Sequence, residues 1–93
     1  EKRQEMMYDH MICDLEIPGF KDGARFEFQT KSFEGIFDEY RIDMFGRLYR
    51  TSVDGLDSVE YTGEVVFYNS FIECKADFNS GLTAKIELVE ESS

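Results

Sequence analysis

Residues 60–88 read EYTGEVVFYNSFIECKADFNSGLTAKIEL, and this stretch decides the fold. Apolar and polar residues alternate with a period of two over residues 74–78 and again over residues 82–88, which is typical of half-buried β-strands. The segment between them, residues 79–81, consists of the turn formers Asn, Ser and Gly. We therefore expect two amphipathic strands joined by a tight turn.

The preceding segment, residues 60–72, carries apolar side chains at both odd and even positions, as Val65 and Val66 illustrate. Apolar residues on both faces are typical of a strand that is covered on both sides. We therefore expect residues 60–72 to form the most buried, central strand of the sheet. The strand at residues 74–78 is predicted to continue from it through a bulge or bend at residues 69–70.

The first part of the chain shows the same alternation in shorter pieces. Residues 11–17 alternate up to a Pro-Gly pair at positions 18–19, which ends the pattern. Residues 25–29 alternate again after turn chemistry at residues 21–23. Each of these two pieces predicts a strand with one face toward the core.

The middle of the chain gives mixed signals. Apolar residues within 31–40 fit one turn of helix as well as an extended segment. Residues 43–47 are typical of a hairpin in which Gly46 takes a positive φ, and residues 47–51 resume an extended pattern. Residues 53–57 are a second break, rich in turn formers.

Together these segments predict a mainly β protein. Roughly six or seven strands, joined by short turns, favour a single small antiparallel sheet that is curled into a sandwich or open barrel, with at most one short helix. We expect one antiparallel β domain over residues 11–93, preceded by an N-terminal arm at residues 1–10. With 93 residues, 42% of them hydrophobic, the chain is long enough for one core.

Charge and cysteine content limit the classes of function. The chain has 20 Asp and Glu residues against 10 Lys and Arg, a formal net charge of -10, so direct nucleic-acid binding is not expected. Its apolar runs are too short for a membrane span. Cys13 and Cys74 form no CxxC motif, which favours reduced thiols in a cytoplasmic protein and leaves a disulfide between them open.

The sequence contains no pattern of an enzyme or a metal site. His10 is the only histidine, and strand parity sends it and Cys13 to opposite faces. The serines stand in no nucleophile-elbow pattern, and the glycines in no nucleotide-binding pattern. Asp54, Asp57 and Glu60 miss the alternate spacing of a calcium-binding loop. We therefore expect a non-enzymatic protein without a cofactor or a metal ion.

The distribution of carboxylates is the most informative feature for function. Between Arg50 and Lys75 the chain carries acidic residues and no basic one. Carboxylates at outward positions of one strand lie about 6 to 7 Å apart, close to the phosphate repeat of a nucleic-acid strand, so an acidic sheet is able to occupy a basic groove. The competing interpretation is that the charges keep the domain soluble and protect its edge strands. The candidate partner-binding residues are Asp38, Glu39, Asp43, Asp54, Asp57, Glu60 and Glu64.

Four segments carry a resemblance to a known group of proteins. They are FEFQTKSF at residues 26–33, DEYRI at 38–42, GRL at 46–48 and YTGEVVFY at 61–68. In this order they resemble small acidic uncharacterised proteins of bacteria and their phages or prophages. The resemblance implies a mobile-element protein in a bacterial cytoplasm. Small acidic proteins of such origin include inhibitors of host defence nucleases, among them anti-CRISPR proteins, and some of these imitate DNA.

We accordingly expect a non-enzymatic phage or prophage protein. It would bind and inhibit a host defence effector that handles nucleic acid, as an anti-CRISPR protein or DNA mimic does, and the partner would present a basic nucleic-acid-binding surface. The alternative is a structural or regulatory module that forms a homo-oligomer, such as a homodimer, through its strand edges.

Overall fold

The computed structural model describes residues 8–20, 26–33, 35 and 37–91, with only the backbone of Phe26. Over these residues the chain forms eight β-strands and no helix, so the prediction of a mainly β protein is confirmed. The strands are β1 (Asp9–Cys13), β2 (Phe26–Thr30), β3 (Glu39–Ile42), β4 (Leu48–Ser52), β5 (Gly55–Ser58), β6 (Gly63–Tyr68), β7 (Ile72–Asn79) and β8 (Leu82–Glu91).

All eight strands belong to one sheet, in the order β5-β4-β3-β1-β2-β6-β7-β8. Six of the seven neighbouring pairs are antiparallel, as the alternation and the short turns predicted. The exception is β1 with β3, which run parallel with His10 opposite Glu39 and Cys13 opposite Ile42. The chain therefore leaves β2, crosses the beginning of β1 and enters β3 on the other side of β1, which a simple meander would not do.

A buried carboxylate holds this crossover in place. Asp9 is 0% exposed, and its two carboxylate oxygens accept the backbone N–H groups of Gly35 at 2.8 Å and Asp38 at 2.9 Å. The backbone N–H of Phe37 also donates to the carbonyl of Tyr8 at 3.0 Å. The described residues of the crossover form no helical turn, and Glu34 and Ile36 lie outside the described part.

The sheet curls until the turn between β3 and β4 contacts the beginning of β8, which makes it an open barrel. The carbonyl of Gly46, in the turn between β3 and β4, accepts both the backbone N–H of Thr83 at 2.8 Å and its hydroxyl at 2.7 Å. One isolated bridge, Arg47 with Leu82, connects the beginning of β4 to the beginning of β8. Beyond that bridge the described residues of β4 and β8 do not pair, so the barrel stays open.

The core fills the concave side of the curled sheet. Alternate residues of β7 are buried, and Cys74, Ala76 and Phe78 point inward as predicted. Phe28 of β2 and Phe67 of β6 meet edge to face, with their ring centroids 5.0 Å apart. The other buried apolar residues are Met11, Cys13, Ile17, Tyr40, Ile42, Leu48, Val65 and Ile72.

Several strand boundaries differ from the prediction. β1 begins at Asp9 and ends at Cys13, so the last two residues of the expected N-terminal arm belong to the sheet. Residues 1–7 of that arm, and the predicted turn at 21–23, lie outside the described residues. β5 at Gly55–Ser58 lies where only a turn was expected.

The prediction that the strand continues from β6 into β7 through a bulge or bend is wrong, because residues 69–71 form a turn between two antiparallel strands. The side-chain oxygen of Asn69 accepts the backbone N–H groups of Phe71 at 2.8 Å and Ile72 at 3.0 Å, which reverses the chain. β6 lies inside the sheet between β2 and β7, but only one of its faces is buried. Val66 and Tyr68 are half-buried on the other face.

The turn between β7 and β8 depends on glycine. Ser80 and Gly81 have φ values of 51° and 83°, the two consecutive positive values that a two-residue hairpin of matching twist needs. A Cβ atom on Gly81 would lie 2.3 Å from the carbonyl oxygen of Val59, so glycine is required here for space as well as for conformation.

We expect Asp9→Ala to lower the free energy of unfolding by about 3 kcal/mol, because it leaves buried backbone donors without an acceptor. Asp43→Ala is the matched control. Asp43 also accepts two backbone N–H groups, from Phe45 and Arg47, but at an exposed turn where water replaces it, so we expect a loss of about 1 kcal/mol. Urea denaturation measures both losses, and equal losses would contradict the role given to Asp9.

We expect Gly81→Ala to be far more destabilising than Gly19→Ala. The two glycines have φ values of 83° and 88°, so both substitutions carry a similar conformational cost of about 1 kcal/mol. At Gly19 the new Cβ atom meets only a Leu88 methyl at 3.8 Å, whereas at Gly81 it collides with backbone. Thermal unfolding of the two variants tests this, and similar losses would show that the turn adjusts.

Candidate functional site

Most cations of the described surface are already paired with carboxylates. Arg41 binds Asp14 at 2.7 Å, and Lys85 lies 3.8 Å from Glu87. Lys75 lies 3.4 Å from each of two carboxylates, those of Glu64 and Glu87, and these raise the pKa of Lys75. Because acidic residues outnumber basic ones two to one in the chain, many carboxylates remain beyond these pairs.

Three of the seven predicted partner-binding residues are engaged inside the molecule. Asp38 lies 3.9 Å from Arg50, and Glu64 lies 3.4 Å from Lys75. Asp43 accepts the backbone N–H groups of Phe45 and Arg47, each at 2.9 Å, and so stabilises the turn between β3 and β4. These three side chains are less available to a partner than the sequence suggested.

The other four predicted residues are exposed, and three of them follow one edge of the sheet. Asp54, Asp57 and Glu60 lie before, on and after β5, at every third position. Only Asp57 lies on the strand itself, Asp54 belongs to the turn before it, and side chains three residues apart on a strand point to opposite faces, so the series does not form a regular row on one face. Glu39 lies two strands further in, on β3, where it accepts the hydroxyl of Thr51 at 3.3 Å.

Exposed apolar side chains accompany these carboxylates. Val53 is 101% exposed and Leu56 is 51% exposed, and every residue of β5 is exposed. We call the surface formed by Val53, Asp54, Leu56, Asp57 and Glu60 the β5 edge. Sequence reasoning missed the apolar part of it, because an exposed strand has no buried face and therefore no alternation to detect. The sequence signal that could have indicated a strand here is the two-residue turn at residues 53–54, across which Ser52 and Gly55 pair.

A cleft of about 330 Å³ opens where β2 meets the end of β6. β2 and β6 pair at Gln29 with Tyr68 and at Thr30 with Phe67, and β6 ends at Tyr68 while β2 extends back to Phe26. The side-chain amide of Asn69 donates to the carbonyl of Glu27 at 3.4 Å. The cleft is lined by His10, Glu27, Phe28, Gln29, Tyr68, Asn69 and Ser70. The sequence does not predict this cleft, because its lining residues come from segments that are distant in the chain.

The arrangement offers no catalytic pair of cysteine and histidine. His10 lies half-buried beside the cleft, whereas Cys13 is 1% exposed and belongs to the core, so the predicted separation of the two is confirmed. Among the residues that the structure describes, no three His, Cys, Asp or Glu side chains are grouped to hold a metal ion. The same residues include no helix long and apolar enough to cross a membrane.

The two thiols are free and buried. Burial raises the pKa of Cys13 to about 12 and that of Cys74 to about 11. A carboxylate neighbour, Glu73, contributes to the shift at Cys74. Both groups are therefore protonated at neutral pH, which is the state of a structural cysteine and not of a nucleophile.

Comparison with known proteins adds no family assignment. Set against known family models, curated proteins and solved structures, the chain matches none of them.

We expect the free energy of unfolding to fall as the pH rises above about 9. Thiols of the unfolded chain ionise near their ordinary pKa of 9.0, whereas the folded thiols stay protonated, so the folded state binds more protons and stability is lost with rising pH. Urea denaturation from pH 8 to 11 would show this loss. The variant with both Cys13→Ala and Cys74→Ala should show a flatter profile, and an unchanged slope would contradict the assignment.

Proposed function

We propose that the protein is a non-enzymatic binding protein whose β5 edge contacts a basic surface of a partner protein. The observation that carries the proposal is the composition of this edge. Asp54, Asp57 and Glu60 are exposed around two exposed apolar side chains, Val53 and Leu56. Apolar anchors surrounded by charge are a common composition of protein interfaces.

Charge complementarity defines the partner. The next strand contributes one basic residue to this region, Arg50, which lies opposite Asp57 in the register and 3.9 Å from Asp38. It neutralises only part of the acidic charge there. A partner with clustered Lys or Arg residues would supply the missing positive charge, and surfaces of that kind are typical of proteins that bind nucleic acids. Occupation of such a surface would exclude the nucleic acid.

The spacing of the carboxylates shapes the proposal. Asp54, Asp57 and Glu60 stand at every third position, and not at the alternate positions of one strand face that give the spacing of about 6 to 7 Å expected for a row that follows successive phosphates. The proposed competition with nucleic acid therefore rests on charge and on the apolar anchors, and less on a one-to-one imitation of phosphates. An origin in a phage or prophage and a location in the bacterial cytoplasm are part of the same proposal. The resemblance supports both, and the free thiols support the second.

Charge reversal of the β5 edge tests the proposal. The variant carries Asp54→Lys, Asp57→Lys and Glu60→Lys, and the matched control carries Glu16→Lys, Glu27→Lys and Glu91→Lys, three exposed residues elsewhere. Each protein is immobilised and used to capture partners from bacterial lysate at about 150 mM salt. We expect the captured partner to bind the β5-edge variant at least about tenfold more weakly than the control.

A competition experiment then tests the mode of action. The captured partner is purified and mixed with labelled duplex DNA or single-stranded RNA, and the protein is added in increasing amounts. We expect the nucleic acid to be displaced by the natural protein and by the control, but not by the β5-edge variant. Simultaneous binding of nucleic acid and protein would overturn the proposal, and so would equal loss of binding in the variant and its control.

A further inference from the structure

The last strand, β8, presents the longest unpaired edge of the described sheet. It spans Leu82–Glu91, pairs with β7 on one side, and has no buried residue. Gly46 and Arg47 cover only its first two residues, through the hydrogen bonds to Thr83 and the bridge to Leu82. Beyond Thr83, no described residue outside β7 hydrogen-bonds to its backbone. Such an edge is a template for another strand.

The regular part of β8 lies between two irregularities. The register with β7 shifts between Glu73 and Cys74 and again between Asp77 and Phe78, and from Lys85 to Leu88 the pairing is uninterrupted. Bulges and a lysine are devices that protect an edge strand from unwanted pairing. Here the two irregularities limit the regular backbone available for pairing to residues 85–88. A partner strand must therefore be complementary to these residues.

The segment Lys85-Ile86-Glu87 is complementary to itself. Lys85 and Glu87 occupy positions of the same parity, and their side chains already lie 3.8 Å apart at the surface. When two copies of such a segment run antiparallel around a two-fold axis at the central residue, each lysine lies opposite a glutamate of the other copy. The charges of one copy are therefore complementary to those of a second.

Neighbouring registers are less favourable. An axis at Glu87 would place two glutamates opposite each other, and an axis at Lys85 would place two lysines opposite each other; both arrangements are destabilising. An axis at Leu88 would place Lys85 opposite Glu91, but it would also place Ile86 opposite Glu90 and would run across the irregularity between Leu88 and Glu90. The axis at Ile86 places two pairs of opposite charge and a central apolar contact within the uninterrupted segment 85–88, where Ile86 and Leu88 pack against the core but remain half-exposed.

We propose that a second copy of this chain docks on β8, in an antiparallel pair centred on Ile86, and joins the two sheets edge to edge. The docking uses β8 residues that do not belong to the β5 edge. Because the paired segment is short and each copy carries a net charge of -10, we expect the dimer to be weak.

Charge reversals at the two positions test the pairing. Lys85→Glu and Glu87→Lys are prepared as separate proteins, and Arg47→Glu, which makes the same change in net charge as Lys85→Glu, is the control. Sedimentation velocity from about 10 µM to 1 mM, at about 150 mM salt to screen general repulsion, measures the mass of each. We expect the natural protein and the control to dimerise, and each β8 variant alone to dimerise about tenfold more weakly or worse, because like charges then face each other.

The decisive sample is an equimolar mixture of Lys85→Glu and Glu87→Lys. Opposite charges face each other again in the mixed pair, so the mixture should regain dimerisation, which also shows that both variants are folded. A natural protein that stays monomeric at 1 mM would overturn the proposal. Single variants that associate as the natural protein does would overturn it too, and so would a mixture that does not recover. Loss of the β5-edge partner has no bearing on these outcomes, so the two proposals fail separately.

Discussion

The order of the strands depends on the bonds that the carboxylate of Asp9 makes to the crossover between β2 and β3. Asp9 takes an inward position of β1, where an apolar side chain would be expected, and is fully buried there. It is tolerated because its oxygens accept backbone N–H groups of Gly35 and Asp38 that would otherwise lose their hydrogen bonds. The crossover held in this way places β3 parallel to β1, and β4 and β5 follow outward from β3. The β5 edge therefore belongs to the part of the sheet that follows the crossover held by Asp9.

Alternation in the sequence predicts those strands that have one apolar and one polar face. β7 shows this best, because its inward residues Cys74, Ala76 and Phe78 are interrupted only by polar ones. Alternation does not predict the parallel pair of β1 and β3. The inward Asp9 interrupts the apolar pattern at the beginning of β1, and the pairing with β3 depends on contacts between residues that are distant in the chain. The turn after β6 was misread for another reason. Asn69 accepts two backbone N–H groups and reverses a chain whose flanking residues look continuously apolar.

The sequence predicts which charges the candidate site contains, but it does not predict which of them are free to contact a partner. That depends on the register of the strands. The register places Arg50 of β4 between residues of β3 and β5, and it brings Lys75 within reach of Glu64. A sequence shows neither relation, because the paired residues are distant along the chain. Asp43 was likewise read as a surface charge, although its short side chain and its place at the start of a turn favour the capping role that it has.

The two free edges have one structural cause, which is competition for the open side of β4. β5 pairs with β4 from Tyr49 to Ser52, and the carbonyl of Leu48 accepts the backbone N–H of Val59. What remains for β8 is the bridge at Arg47, so the barrel cannot close there and β8 diverges. The residue after β5, Val59, contacts the turn before β8 at Gly81. The carbonyl of Val59 leaves no room for a side chain at position 81. Because β5 pairs with the open side of β4, β5 itself becomes the acidic edge of the sheet and β8 is left without a partner on that side. If β8 paired with β4 along its length, the barrel would be closed and neither edge would be exposed.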